Sequence, residues 1–113
     1  MNSEIEALAL RAIACPAWRW LPGMLALSNP RSIWIRIVDP PNDDTSECFP
    51  DLSDPATLGA LLALVREAFG DLTLFAECHP LGARWQIHSV DGGIFGEGDS
   101  EAAALVAALE AAP

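Results

Sequence analysis

PDLSDPATLGALLALVREAFG, residues Pro50 to Gly70, decides the fold. Asp54 stands just before the apolar run. Its carboxylate can accept a hydrogen bond from an otherwise unpaired N–H of a first helical turn, which predicts an N-cap. Pro55 follows at the first helical position, where a missing N–H costs nothing. Leu58, Leu61, Leu62, Val65 and Phe69 recur at helical spacing and form one apolar stripe. Gly70 supplies the left-handed residue that closes a helix. A helix with one apolar face needs a layer to cover it, and the rest of the chain supplies that layer.

Toward the N-terminus, Ser3 and Glu6 are spaced as a capping box. Ile5, Leu8, Ala9, Ala12 and Ile13 give a second helical stripe, ended by Pro16. Trp18 and Trp20 alternate with their neighbours, so this segment reads as extended. Pro22-Gly23 interrupts it, and Met24 to Leu27 resume a strand. Asn29-Pro30 marks a turn. Ser32 to Val38 alternates strictly, with Ile33, Ile35 and Ile37 on one face, and reads as the antiparallel partner of Met24–Leu27. DPPNDDTSECF then breaks all periodicity, as a loop of about a dozen residues does.

Toward the C-terminus, Leu72 to Cys78 and Arg84 to Val90 flank a turn at His79-Pro80-Leu81-Gly82, the pattern of a second hairpin. Asp91-Gly92-Gly93 is a further turn before a short strand at Ile94-Phe95. Asp99 or Ser100 caps a closing helix whose stripe is Ala102, Leu105 and Leu109 with Ala112, and Val106 at its margin. Its many alanines allow close approach to a sheet. The expected fold is α+β: three helices with a mainly antiparallel four- to five-stranded sheet, in a two-layer or αβα sandwich over a single domain, residues 1–113. The central and closing helices are expected on one face, with the four tryptophans covering much of the other.

The chain has 113 residues, 51% of them hydrophobic, enough for a core. No apolar run is long enough to span a bilayer, and the acidic N-terminus is unlike a secretory signal. A cytoplasmic protein is therefore expected. Cys15, Cys48 and Cys78 lack motif spacing, so no disulfide framework is expected, and Cys15 is read as a buried small hydrophobe beside Leu8. Sixteen acidic residues against six arginines give a formal net charge of −10. That balance argues against direct nucleic-acid binding and against docking on an anionic membrane. It suits a basic protein partner.

No segment carries a catalytic signature. Cys78, His88 and Asp91 supply the residue types for nucleophilic catalysis, but no nucleophile elbow surrounds any serine or cysteine. Cys48, Cys78, His79 and His88 lack the paired short spacings of zinc sites. Asn42, Asp43, Asp44 and Glu47, or Asp91, Glu97 and Asp99, do not match a calcium loop. GGIFGEG precedes a helix, yet Glu97, Asp99 and Glu101 there would repel phosphate. The expectation is no enzyme, no metal and no cofactor. The candidate site is instead acidic. Asp39, Asp43, Asp44, Glu47 and Asp51 run together without a basic neighbour, ahead of the capping Asp54. A second patch, Asp91, Glu97, Asp99 and Glu101, opens the closing helix. If they shared a face they would form a negative surface able to bind Arg or Lys.

The second half, Pro50 to Ala112, resembles the small phage proteins grouped as the phage ABA sandwich domain. The likeness is carried by the SDPATLGALLALVREA helix, by the aromatic strand Arg84-Trp85-Gln86-Ile87, and by Gly96-Glu97-Gly98-Asp99-Ser100-Glu101 leading into an Ala-rich helix with Leu105 and Leu109. The resemblance implies a phage or prophage origin and action inside a bacterial host; it assigns no functional residues. Charge and resemblance together lead to the expectation of a non-enzymatic protein that binds the basic surface of a host protein. Its sharpest form is an anti-CRISPR-type inhibitor of a host nucleic-acid-handling defence system. The alternatives are a self-associating structural or accessory phage protein, or a small hydrolase, and the oligomeric state is left open.

Overall fold

A computed structural model describes residues 3–28, 33–38, 48–80 and 84–113. In chain order these form α1 (Ser3–Ile13), β1 (Leu25–Ser28), β2 (Ile33–Arg36), β3 (Cys48–Pro50), α2 (Pro55–Phe69), β4 (Phe75–His79), β5 (Arg84–His88), β6 (Ile94–Gly98) and α3 (Glu101–Ala111). The fold is α+β with antiparallel pairing throughout the described strands. It differs from the expected single sheet of four to five strands. There are two separate three-stranded sheets, ordered β2-β1-β3 and β4-β5-β6. The extra strand is β3, three residues long and ending in Pro50, too short to show alternation. The tryptophan segment after α1 is no strand either. It is a chain of turns, with Trp18 N–H on the Cys15 carbonyl and Met24 N–H on the Leu21 carbonyl. Trp18 and Trp20 meet edge to face there. Among the described residues no helix is long and apolar enough to cross a membrane.

The ends of α2 follow from its sequence. Asp54 is extended and accepts from Thr57 N–H, Pro55 opens the helix, and Gly70 closes it at φ 65°. The buried face is Thr57, Leu61, Leu64 and Val65, while Leu58, Leu62 and Phe69 flank it half-buried. The stripe is thus rotated toward Leu64. Thr57 is fully buried because its hydroxyl is in use: it donates to the Asp54 carboxylate and accepts Leu25 N–H at 2.8 Å. Arg36 of β2 also reaches Asp54, at 2.7 Å. This relay fastens the first sheet to the start of α2.

The element against which the others are laid is α3. It packs on α1, on α2 and on all three strands of the second sheet. Ala102, Ala104, Leu105, Val106, Ala108 and Leu109 are all buried, so the helix is covered nearly all round. Its contact with β6 is made backbone to backbone. A Cβ added at Gly96 would lie 2.6 Å from Ala108 N, and nearer still to the Ala104 carbonyl oxygen. One added at Gly98 would lie 2.5 Å from Ala103 Cβ. The expected close approach of the Ala-rich helix is therefore present, and glycine on the strand is its other half. The second sheet turns Ala76, Ile87 and Gly96 toward α3 and leaves its opposite face open. That open face carries Phe75, Glu77, Arg84, Gln86 and His88, not tryptophan. Trp85 lies on the α3 side, where it packs half-buried on the core, and Trp34 on β2 is 50% exposed.

Four arginines pin neighbouring elements together. Arg11 joins α1 to Glu110 of α3, Arg19 joins the turns after α1 to Glu67 of α2, Arg36 joins β2 to Asp54, and Arg84 joins β5 to Glu97 of β6 and to Asp99 just after it. Each is a surface pair of modest worth. The guanidiniums hold Asp54, Glu67 and Glu110 below the ordinary carboxylate range, Asp54 through Arg36 first and Thr57 next.

Gly96→Ala is expected to cost about 3 kcal/mol in urea unfolding, at the upper end for overpacking, because backbone stands where the methyl would go. Gly59→Ala, on the exposed side of α2 with open space around it, is expected to stabilise by about 1 kcal/mol. Carboxylates whose folded pKa is depressed contribute stability fully above their unfolded value, and lose it as pH falls through the folded one. The urea midpoint should therefore fall on acidification below about pH 4. Asp54→Ala should cost about 1 kcal/mol near neutrality and reduce that acid dependence.

Candidate partner-binding groove

The acidic residues expected to share a surface are placed as follows. Asp39, Asp43, Asp44 and Glu47 lie outside the described residues. Asp51 is buried at 8% exposure. Its carboxylate accepts Ser53 N–H and the Ser53 hydroxyl, so it holds the turn that launches α2. Asp91 is exposed in the turn between β5 and β6. It stands at the Ile94 end of β6, whereas Glu97 and Asp99 stand at the Gly98 end, roughly 13 Å away along a strand. Glu101 is half-buried in the first turn of α3, next to the Ser100 that caps it, where a negative charge suits the helix dipole. Of the five that are described, only Glu97 and Asp99 are brought together, and they share an arginine.

That arginine is Arg84, 3.6 Å from Glu97 and 3.3 Å from Asp99. The register explains the meeting. Gln86 is opposite Glu97, so Arg84 is the diagonal neighbour of Glu97 and continues the ladder toward Asp99. The patch is therefore not uniformly negative: a guanidinium stands within it. Two carboxylates still outweigh one cation. Asp99 is 85% exposed and Glu97 43%, so both remain open to an incoming group.

These three side chains form one wall of a groove of about 290 Å³ between α1, α3 and the end of β6. Leu8, Gly98, Ala103 and Ala107 are among the residues that line it. The other wall is α1, with Arg11, whose guanidinium is already bidentate on Glu110 at 2.6 and 3.1 Å. The small residues give the groove its depth. The same Gly98–Ala103 contact that lets β6 lie on α3 removes the side chains that would fill this space. Neither Arg11 nor Arg84 was marked by the acidic pattern. The readable signal for the groove was glycine at alternate strand positions beside an Ala-rich helix. The pairing of Arg84 was hidden by a bulge at Ile87/His88 that shifts the β5–β6 register.

The open face of the second sheet continues the same polar line. His88 Nε2 is 2.8 Å from Gln86 Oε1 and 3.8 Å from Glu77, and its ring stacks on Phe75 at 5.7 Å. Gln86 donates in turn to Glu97 at 3.4 Å. The types that suggested nucleophilic catalysis are divided. His88 is on the open face, Cys78 faces the α3 side opposite Trp85, and Asp91 is beyond the strand end. The zinc candidates are divided too, since Cys48 is buried in the first sheet and the others belong to the second. Among the described residues no three His, Cys, Asp or Glu side chains gather as a cation site. What the groove offers chemically is charge-assisted hydrogen bonding to a cation, beside apolar contact with a floor of small side chains. Comparison of the chain with models of protein families, with curated proteins and with solved structures found no match in any of the three.

Proposed function

We propose that the protein acts without catalysis, by binding a basic segment of another protein in the groove between α1, α3 and β6. One observation carries this reading: Glu97 and Asp99 share a single guanidinium at the edge of a groove lined in part by small side chains. A partner's arginine or lysine would complete the charge balance that Arg84 leaves short, and its aliphatic stem would lie along Leu8, Ala103 and Ala107. The formal charge of −10 supports the reading at longer range, by steering a basic partner inward. The narrower form of the proposal is a phage or prophage protein acting inside a bacterial host, inhibiting a nucleic-acid-handling defence system at its basic surface. It rests on the charge and on the family resemblance. Asp39, Asp43, Asp44 and Glu47 are proposed as further partner-binding residues on the strength of their charge.

The reading is tested with labelled peptides of matched length, one arginine-rich and one with glutamate in place of arginine, by fluorescence anisotropy. The basic peptide is expected to bind, and more weakly as salt rises. Reversing both Glu97 and Asp99 to Arg should weaken it about tenfold or more, the loss of a charge-assisted pair. Arg84→Ala should tighten it. Equal binding of the two peptides, or indifference to the double reversal, would remove the groove from consideration.

A further inference from the structure

Antiparallel sheets present two edges, and unguarded edges recruit other strands. The second sheet treats its edges differently. β6 is interrupted by the bulge opposite Ile87/His88 and packs its glycine backbone on α3. β4 pairs with β5 without interruption from Phe75 to His79, and no described strand lies on its other side. Phe75, Glu77, Cys78 and His79 are all exposed. It carries neither lysine nor bulge, and its guards are its short length, the charge of Glu77 and Pro80 just after its last residue.

We propose that β4 pairs antiparallel with the β4 of a second copy, across a two-fold axis at Cys78. The register follows from charge. An axis at Glu77 would set Glu77 against its own copy, a destabilising like-charge pair. An axis between Glu77 and Cys78 is excluded, because residues opposite one another project to the same face and neighbours along a strand do not. With the axis at Cys78, Glu77 of each chain lies directly opposite the partner's His79, twice over by symmetry, and Cys78 lies opposite the partner's Cys78. Residues opposite one another in an antiparallel pair have Cα atoms about 4.5 to 5.5 Å apart, inside the range that a disulfide can bridge. Cys15 and Cys48 are buried, so Cys78 alone reports the register. Within β4 this register pairs only Glu77, Cys78 and His79 of each chain, and each chain carries a formal charge of −10, so the dimer is weak and repulsion opposes it. Salt should strengthen this association by screening that repulsion, the opposite of its effect on the groove. The inference does not depend on the groove, and the two can fail separately.

Sedimentation of the full chain over a concentration series, at low and at high salt, is expected to show a dimer favoured by salt. A mild thiol oxidant should then trap it as a covalent dimer in the wild type and not in Cys78→Ser. Glu77→Arg or His79→Glu alone should weaken the dimer about fivefold, the worth of two cross-strand carboxylate–imidazole pairs. The two changes together should restore it. A monomer under all conditions would overturn the proposal. So would a dimer that Cys78 does not link, or one that the single changes leave untouched or the double change fails to restore.

Discussion

The contact between β6 and α3 is the constraint on which the rest depends. Strand backbone meets helix backbone at Gly96 and Gly98 on one side and at Ala103, Ala104 and Ala108 on the other. Glycine and alanine lose almost no side-chain entropy on burial, so the contact gains close-packed dispersion at little ordering cost. It also draws α3 inward, where it meets α1 and α2 on its remaining sides. The same geometry fixes the exit from the strand. Ser100 turns to accept Ala103 N–H at 3.0 Å, and Glu97 and Asp99 are left at the lip of the space that the missing side chains create. The packing solution and the groove are therefore one feature.

Much of this architecture was legible in the sequence, and the parts that were not have physical reasons. The caps of α2 are local: a carboxylate, a proline and a glycine act within four residues of the backbone they serve, and Asp54, Pro55 and Gly70 do what their spacing implies. The buried face was harder, because Thr57 reads as polar until Leu25 N–H and Asp54 are known to satisfy its hydroxyl. The prominence of α2 misled about the centre. Its clear stripe marks a helix with one wet side, whereas α3 is covered nearly all round, and its stripe of Ala102, Leu105 and Leu109 leaves out Ala104 and Ala108, which are buried as well. Two sheets rather than one could not be read from strand count, since β3 pairs with β1 across a long connection.

The site was less legible than the fold. A run of carboxylates in sequence does not state which way each side chain turns. Asp51 turns inward to hold a local turn, and Asp91 sits at the wrong end of β6 to join Glu97 and Asp99. Position relative to a strand end, not distance in sequence, decides which acids meet. Arg84 makes the same point from the other sign. Its place among carboxylates is set by a diagonal contact across a bulged pair of strands, a relation no local spacing encodes.

The arginines temper the self-repulsion of so acidic a chain. Arg11, Arg19, Arg36 and Arg84 are each bound to carboxylates on a different element, and Arg66 donates to the Leu74 carbonyl at 2.7 Å. Their cations act as staples, each tying its own element to a neighbouring segment. None of these five is left as a free positive patch, so the outward field is set by the carboxylates that remain. Such a surface would favour the proposed basic partner and oppose the proposed self-pairing, and salt would act on the two in opposite senses. A chain built this way would bind a partner most strongly when the medium is dilute and pair with itself most readily when it is not.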